Sequence, residues 1–311
     1  MVFRTLPLAA AVLGLMLAGI SVVPAGVDAD SPAEPAAVQE IVRTVQRGDY
    51  TVERTIWIDA RVVADPEALA DRVAGIEPGS GGGIATAQYK INSHKWASAN
   101  IPVPVHYNAA GQGTNPDAGG VIQGAVTKWN AVTPTKFTFT WMGTTTRGTG
   151  ACDDEIDADG FNTVAYATGL ESGVLGSTCT LFKGPNAPIE EFDMVLDAGT
   201  PWSVAASTAK GKYDLPSTIL HELGHAAGIR HPCETKGACT ATEKLAVMFA
   251  FLDDGEQRRT LTADDEAALR AQYPGGEVPT PSPTPAPSPT PVVVPPFSRS
   301  FQSVMVSIAR D

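Results

Sequence analysis

Residues 221–231 read H-E-L-G-H-A-A-G-I-R-H, and this stretch decides the fold. His221 and His225 are four residues apart, so on a helix their imidazoles lie on one face, one turn apart, and can hold one metal ion. Gly228 follows about one turn later, where a left-handed residue commonly ends a helix, and the chain can then return His231 to the metal. Three histidines leave one position of a tetrahedral zinc ion open, which is typical of a catalytic site.

Glu222 is rotated away from the line of the two helical histidines. It can therefore stay out of the ligand set and still reach a water molecule bound to the same ion. A surface helix with scattered histidines is the alternative, but three of the five histidines of the chain fall in this stretch. The H-E-x-x-H pattern matches the zinc metalloprotease signature, and its extension by Gly228 and His231 matches the metzincin form.

The N-terminus is typical of an exported protein. Arg4 precedes an apolar run from Leu6 to Val23, and Val27-Asp28-Ala29 offers a small-x-Ala cleavage site. We predict that residues 1–29 are a signal peptide; an uncleaved anchor is the alternative, although the run is short for a span of about 20 residues. The expected location is secreted or extracellular, possibly at the cell surface, with no other stretch able to form a stable membrane span.

Composition narrows the class of partner. The net charge is −12, the isoelectric point is about 4.8, and lysine and arginine do not cluster. This balance argues against nucleic acid or an anionic membrane as a partner. We expect a soluble monomer whose substrates are proteins or peptides.

The chain has four cysteines, an even number that fits an oxidising compartment. Proximity favours a disulfide between Cys233 and Cys239, which leaves Cys152 with Cys179, although four cysteines permit three connectivities. Cys233 and Cys239 could instead be metal ligands, but their spacing differs from the usual two-residue zinc knuckle.

Residues 30–84 look like a pro-segment or N-terminal extension. We predict a helix around Ala36 to Gln46, a strand-like alternating run from Thr51 to Val63, and a helix around Pro66 to Ala74. Residues 79–83 form a Gly-rich linker. Because the segment has no cysteine, any inhibition of the metal site must use a carboxylate or steric cover.

The main domain is predicted at residues 85–274 and is of the α+β class. Strands are expected at Ile101 to Tyr107 and Phe137 to Trp141, joined by a helix within Gly120 to Val132, which suggests a parallel pair. Further strands are expected at residues 162–167, 174–182 and 192–196, with the metal helix and a last helix at 262–272. Residues 275–296 form a Pro/Thr/Ser-rich linker, and residues 297–311 form a short tail of unknown role.

An acidic run before Gly160 allows a second metal to be considered. Glu155, Asp157 and Asp159 alternate, as oxygen ligands of Ca²⁺ do. The bidentate glutamate position of an EF-hand would fall on Tyr166, so this is no EF-hand. A solvated acidic loop is the favoured interpretation, with a calcium site as the alternative.

The motif at 221–231, Met248, and Leu261-Thr262-Ala263-Asp264-Asp265 together resemble the metzincin zinc endopeptidases, most nearly the matrixins and their bacterial relatives. The resemblance implies a twisted five-stranded mixed sheet with three helices and a tight turn carrying Met248 beneath the zinc. It also implies that Glu222 activates a zinc-bound water for peptide hydrolysis. The edge strand near Val174 to Phe182 would bind substrate as an added strand.

Residues 249–252 depart from the matrixin pattern, in which Pro and Tyr follow the methionine and wall the specificity pocket. Here Phe249, Ala250, Phe251 and Leu252 follow, so pocket shape and cleavage preference are open. The leading hypothesis is a secreted zinc-dependent endopeptidase. The alternatives are a surface-displayed binding protein on the same scaffold and a latent enzyme held inactive by its N-terminal segment.

Overall fold

The computed structural model describes residues 38–76 and 90–275, except residues 154 and 185. The predicted signal peptide, the Gly-rich linker and the Pro-rich tail lie outside these described residues. No helix within the described ranges is long and apolar enough to cross a bilayer.

The N-terminal segment, residues 38–76, forms a hairpin followed by a short helix. Strands β1 (Val38–Arg47) and β2 (Tyr50–Asp59) pair antiparallel along their whole length, with Gly48 in the left-handed region at φ +55° in the turn. Helix α1 (Pro66–Val73) follows at the predicted position. Asp65 caps its N-terminus.

The prediction of a helix around Ala36 to Gln46 is wrong, because residues 38–47 form strand β1. Val38, Ile41, Val42 and Val45 stand at helical spacing, which produced the error. These side chains are β-branched and favour an extended backbone, and a partner strand of equal length pairs with this stretch at ten registered positions. Pairing beyond the local sequence therefore decides the structure here.

The main sheet has seven strands in the order β1-β2-β7-β8-β6-β4-β5. Strand β4 runs parallel to β5 and β6, β6 runs parallel to β8, and β7 is antiparallel to both β2 and β8. Two short pairs lie outside it, β3 with β11 and β9 with β10. The bounds are β3 (Lys90–Ile91), β4 (Val103–Asn108), β5 (Phe139–Thr144), β6 (Thr163–Ala167), β7 (Val174–Phe182), β8 (Ile189–Asp197), β9 (Trp202–Ser203), β10 (Tyr213–Asp214) and β11 (Ile229–Arg230).

Three further helices complete the described chain: α2 (Ala118–Asn130), α3 (Leu215–Ala226) and α4 (Ala263–Gln272). The α+β class is confirmed, and β4, α2 and β5 form the predicted parallel unit. The counts exceed the expected five strands and three helices because the N-terminal segment adds β1, β2 and α1 to the same body. The sequence argument had set that segment apart from the sheet.

The principal core lies between the sheet and helices α2 and α3. Trp129 is fully buried there and donates from its indole nitrogen to the carbonyl of Leu220 at 2.8 Å. Ile219 and Leu223, from the same side of α3, are also fully buried. This packing fixes the position of the helix that carries the histidine motif.

Candidate metal centre and active site

Helix α3 begins with an N-terminal cap, Asp214. The Asp214 carboxylate accepts from the Ser217 backbone amide at 3.0 Å, and Pro216 is in the first turn, where its missing N–H costs nothing. Burial raises the pKa of Asp214, but the guanidinium of Arg259 and the hydroxyl of Ser217 together bring it below its ordinary value. The start of the metal helix is thus held by a buried, ionised side chain.

The three predicted ligands converge on one point. The Nε2 atom of His221 lies 3.0 Å from that of His225 and 3.3 Å from that of His231, and the last two are 3.1 Å apart. Four ligands at zinc–nitrogen distances of about 2.0–2.1 Å stand about 3.3 Å from one another in a tetrahedron. The donor set and its spacing therefore fit zinc.

Each imidazole is oriented through its other nitrogen. The Nδ1 atom of His221 lies 2.6 Å from the carbonyl oxygen of Val247, and that of His225 lies 2.8 Å from the oxygen of Ile229. These contacts leave Nε2 of both rings directed at the common point. Such outer partners fix the tautomer and raise the basicity of a metal ligand.

His231 is oriented by Glu234, a residue that sequence reasoning missed. Its Nδ1 atom is 2.9 Å from the Glu234 carboxylate. Burial alone would lower the pKa of His231, but Glu234 and a second carboxylate, Glu40, raise it to about 10. Its position in the sequence, three residues after the last histidine ligand, was the signal that could have identified Glu234.

Gly228 and Met248 have the local roles that the motif predicts. Gly228 has φ +80°, and a Cβ there would stand 2.8 Å from the carbonyl oxygen of His94, so both conformation and space favour glycine. Met248 packs beneath α3, since a Cβ on Gly224 would stand only 2.2 Å from its sulfur. The Asp265 carboxylate accepts from the Met248 amide at 3.0 Å and holds this turn.

Glu222 is almost fully buried beside the histidines. Its Oε1 atom is 3.9 Å from Nε2 of His221, and neither carboxylate oxygen accepts a hydrogen bond of ordinary geometry. Burial, reinforced by the negative charge of Glu40, raises its pKa well above the usual value.

Glu40, on strand β1, is the fourth side chain at the common point. Its Oε2 atom lies 2.5 Å from Nε2 of His221 and 2.7 Å from Nε2 of His231, and its Oε1 atom lies 3.5 Å from Nε2 of His225. Burial disfavours its ionisation, but the three imidazoles hold its pKa well below the ordinary value. Within the described ranges, these four residues are the one group able to hold a metal.

A cavity of about 50 Å³ opens beside His221 and Glu222. Its walls are mainly apolar, although Glu40 and Arg258 also line it. The residues after Met248 form part of its wall, as expected. Its other lining residues are Val38, Trp57, Leu175, Trp202, Tyr213, Ser217, Thr218, Val247, Phe249, Ala250 and Leu252.

Both predicted disulfides are present, Cys152 with Cys179 and Cys233 with Cys239. This pairing removes Cys233 and Cys239 from the candidate metal ligands. The first disulfide ties the loop before β6 to strand β7. The second closes the loop that follows His231.

The calcium site is not supported by the structure. Glu155 and Asp157 are exposed, while the Asp159 carboxylate accepts from the Phe161 amide at 2.9 Å and lies 3.8 Å from Arg147. The three carboxylates do not form a metal-holding group in the part of the chain that the structure describes. The run behaves as the solvated acidic loop favoured from sequence.

Residues 95–274, more than half of the chain, match the family model of the matrixins. This chain belongs to the matrixin family. It is also 28% identical over 167 residues to metalloendoproteinase 1-MMP of Arabidopsis thaliana. That match covers 51% of this matrixin and 39% of the plant protein, so the chain spans about two fifths of that relative's length.

Proposed function

We propose that this matrixin is a secreted endopeptidase in which His221, His225 and His231 bind zinc and Glu222 is the general base. Family membership supports zinc metalloendopeptidase activity in general. The observation that carries the specific assignment is the convergence of three Nε2 atoms within 3.0–3.3 Å beside a buried carboxylate that lines a cavity. The signal-like N-terminus and the two disulfides support export.

Zinc, when bound, supplies a Lewis acid that polarises the scissile carbonyl and acidifies water at the site. The protein residues supply positioning and proton transfer. Carbonyl oxygens and the Glu234 carboxylate hold the three imidazoles in one orientation. Glu222 takes a proton from the attacking water at a carboxylate oxygen and delivers it to the departing amine.

Strand β7 is the proposed site of the substrate backbone. It is antiparallel to β8 on one edge and to β2 on the other, so an extended peptide could add to the second edge once β2 has left it. The apolar cavity beside His221 would accept one side chain of that peptide. The proposed substrates are therefore proteins or peptides in extended conformation.

The test uses the full chain with a cleavage site for a specific protease inserted within residues 79–83, folded first and then cut. Zinc content and hydrolysis of an unlabelled peptide library are measured for wild type and Glu222→Ala. We expect zinc to be retained and hydrolysis to fall by about 10²–10⁴-fold. Glu190→Ala, which removes a partly exposed glutamate paired with Lys183, is the matched control.

Full hydrolysis by zinc-loaded Glu222→Ala would refute the assignment of the base. Absence of hydrolysis from cut, zinc-loaded wild type would instead favour the binding-protein alternative. The position of Glu222 beside the three histidines speaks against that alternative, because a binding module does not need a general base there.

A further inference from the structure

The Glu40 carboxylate and the three Nε2 atoms form one group of four side chains that could hold a metal ion. One of its oxygens is within 2.7 Å of two of the Nε2 atoms, and the other is 3.5 Å from the third. Carboxylate oxygen is an ordinary zinc ligand, and a site with four protein ligands is closed, as in structural zinc sites. Trp57, the register partner of Glu40 on β2, donates its indole N–H to the same carboxylate at 2.5 Å.

Strand β2 covers the edge of β7 that the proposed substrate needs. The two strands pair antiparallel from Thr51 with Phe182 to Ile58 with Val174. Gly176 makes room for Trp57, since a Cβ at that glycine would stand 2.5 Å from the indole ring. The backbone groups that could bind a peptide are therefore already in use.

Strand β1 occupies the opposite wall. The Glu40 amide donates to the carbonyl of Ala250 at 3.0 Å, and Gln39 forms an antiparallel bridge with Phe251. Val38 is two residues from Glu40, so its side chain is on the same face of the strand and lines the apolar cavity. The hairpin thus contacts both walls and the metal position at once.

Buried polar contacts hold the hairpin in this position. Glu53 binds the guanidinium of Arg230 and accepts from the Asn92 side-chain amide at 2.6 Å. Asp59 accepts from the hydroxyl of Tyr213 at 2.6 Å. All four cysteines pair with one another outside this segment, so no disulfide ties it to the rest of the described chain.

We infer that Glu40 is the fourth ligand of the metal in the intact chain and that the β1–β2 hairpin is an intramolecular inhibitor of the site. This inference rests on the proposed function and specifies its regulation. It assigns inhibition to a glutamate on a strand that pairs with the sheet, in a segment that has no cysteine. A cut between residues 76 and 90 would free the hairpin and α1 as one non-covalently held piece.

Metal coordination gives a test that is independent of hydrolysis. The full, uncut chain is loaded with Co²⁺, and its visible absorption spectrum is compared among wild type, Glu40→Gln, Glu40→Ala and Glu53→Gln. Glu53→Gln is the matched control, because it removes a buried hairpin carboxylate that contacts Arg230 and not the histidines. We expect both Glu40 variants to change the spectrum and Glu53→Gln to leave it as in wild type.

Glu40→Gln keeps the side-chain size and an acceptor for Trp57, so a folded variant is available even if Glu40→Ala does not fold. Thermal unfolding establishes that each variant is folded. Spectra of the two Glu40 variants identical to wild type would overturn the ligand assignment. A change of equal size in Glu53→Gln would also overturn it, because loosening of the hairpin alone would then explain the effect.

Hydrolysis separates the inhibitor from the proposed function. We expect uncut Glu40→Gln to hydrolyse peptides at least about tenfold faster than uncut wild type, and cut wild type freed of its hairpin to be faster still. Equal activity of cut and uncut wild type would overturn inhibition and leave the protease assignment intact. If no form hydrolyses peptides but the Co²⁺ spectrum still depends on Glu40, the ligand assignment stands and the proposed function fails.

Discussion

Helix α3 and the β1–β2 hairpin each bring one glutamate to the three histidines, but they are held by different sets of contacts. Helix α3 is fixed by the apolar core, with Ile219 and Leu223 fully buried and a tryptophan bonded to its backbone. The hairpin places Val38 and Trp57 in the same core, and it is also held by the pairing of β2 with β7 and by polar contacts such as that between Glu53 and Arg230. In the proposed mechanism the general base, Glu222, is on helix α3 and stays in place. The inhibitory carboxylate, Glu40, is on the hairpin and leaves with it.

The largest expected effect is on zinc affinity and comes from replacing one of the three histidine ligands. His231→Ala should reduce zinc affinity by more than about 100-fold, because a ligand is lost outright rather than merely its outer partner. Metal analysis after dialysis against a weak chelator measures this. His106→Ala is the control, since that ring contacts Phe161, with ring centroids 5.0 Å apart, and is not among the residues at the metal position. Retention of one zinc per chain by His231→Ala would contradict the ligand assignment.

Glu234→Ala should have the next largest effect. It removes the carboxylate 2.9 Å from Nδ1 of His231 while leaving all three ligands in place. Outer partners of this kind change metal affinity by about 10–100-fold. Competition with a chromophoric chelator gives the value, and a loss as great as that of His231→Ala would show that the loop itself has collapsed.

Weakening the contacts of the β1–β2 hairpin should have a smaller effect, which amide exchange would measure. Arg61 binds Asp254 at 2.6 Å and the Tyr213 hydroxyl at 2.7 Å, next to the end of β2. Arg61→Ala should loosen the docked hairpin by about 1 kcal/mol and speed amide exchange in β2 by about fivefold, without affecting α3.

Arg43→Ala is the matched control for that exchange measurement. Arg43 binds Glu67 and Asp71, so its contacts stay within the N-terminal segment. Faster exchange in α3 upon replacement of Arg61 would contradict the separation between the two regions.

The smallest effect concerns Glu191, a buried glutamate that serves neither region. Its Oε2 accepts from the Gly160 amide, its Oε1 has no partner, and burial raises its pKa to about 7. Its folded-state pKa is above the unfolded value, so the protonated form stabilises the fold at low pH and this stability is lost as the pH rises through about 7. Glu191→Gln should raise Tm at pH 8 by about 2–4 °C and much less at pH 5.

Thermal unfolding at the two pH values tests this, with the neighbouring and partly exposed Glu190→Gln as control. An equal shift at both pH values would show that the charge of Glu191 is not responsible.

The sequence predicted the parts of the site that depend on local geometry. His221 and His225 share a helix face and Gly228 ends that helix, so all three were found. These features need only a few neighbouring residues.

Glu40 was missed because nothing in V-Q-E-I-V-R-T-V marks its glutamate as different from a surface side chain. Its position depends on the pairing of β1 with β2 and of β2 with β7, across more than 100 residues of sequence. A local signal for the hairpin existed, since Gly48-Asp49 separates two runs rich in β-branched residues. The hairpin was predictable from that turn, whereas its docking in the cleft was not.

Release of the hairpin would make β7 an exposed edge strand of the sheet. Its nine residues, Val174 to Phe182, would present unpaired N–H and C=O groups beside an uncovered apolar hollow. Open borders of this kind invite edge-to-edge association between molecules. The protein without its hairpin should therefore self-associate at high concentration. An extended peptide bound along β7 would cover this edge and so reduce aggregation.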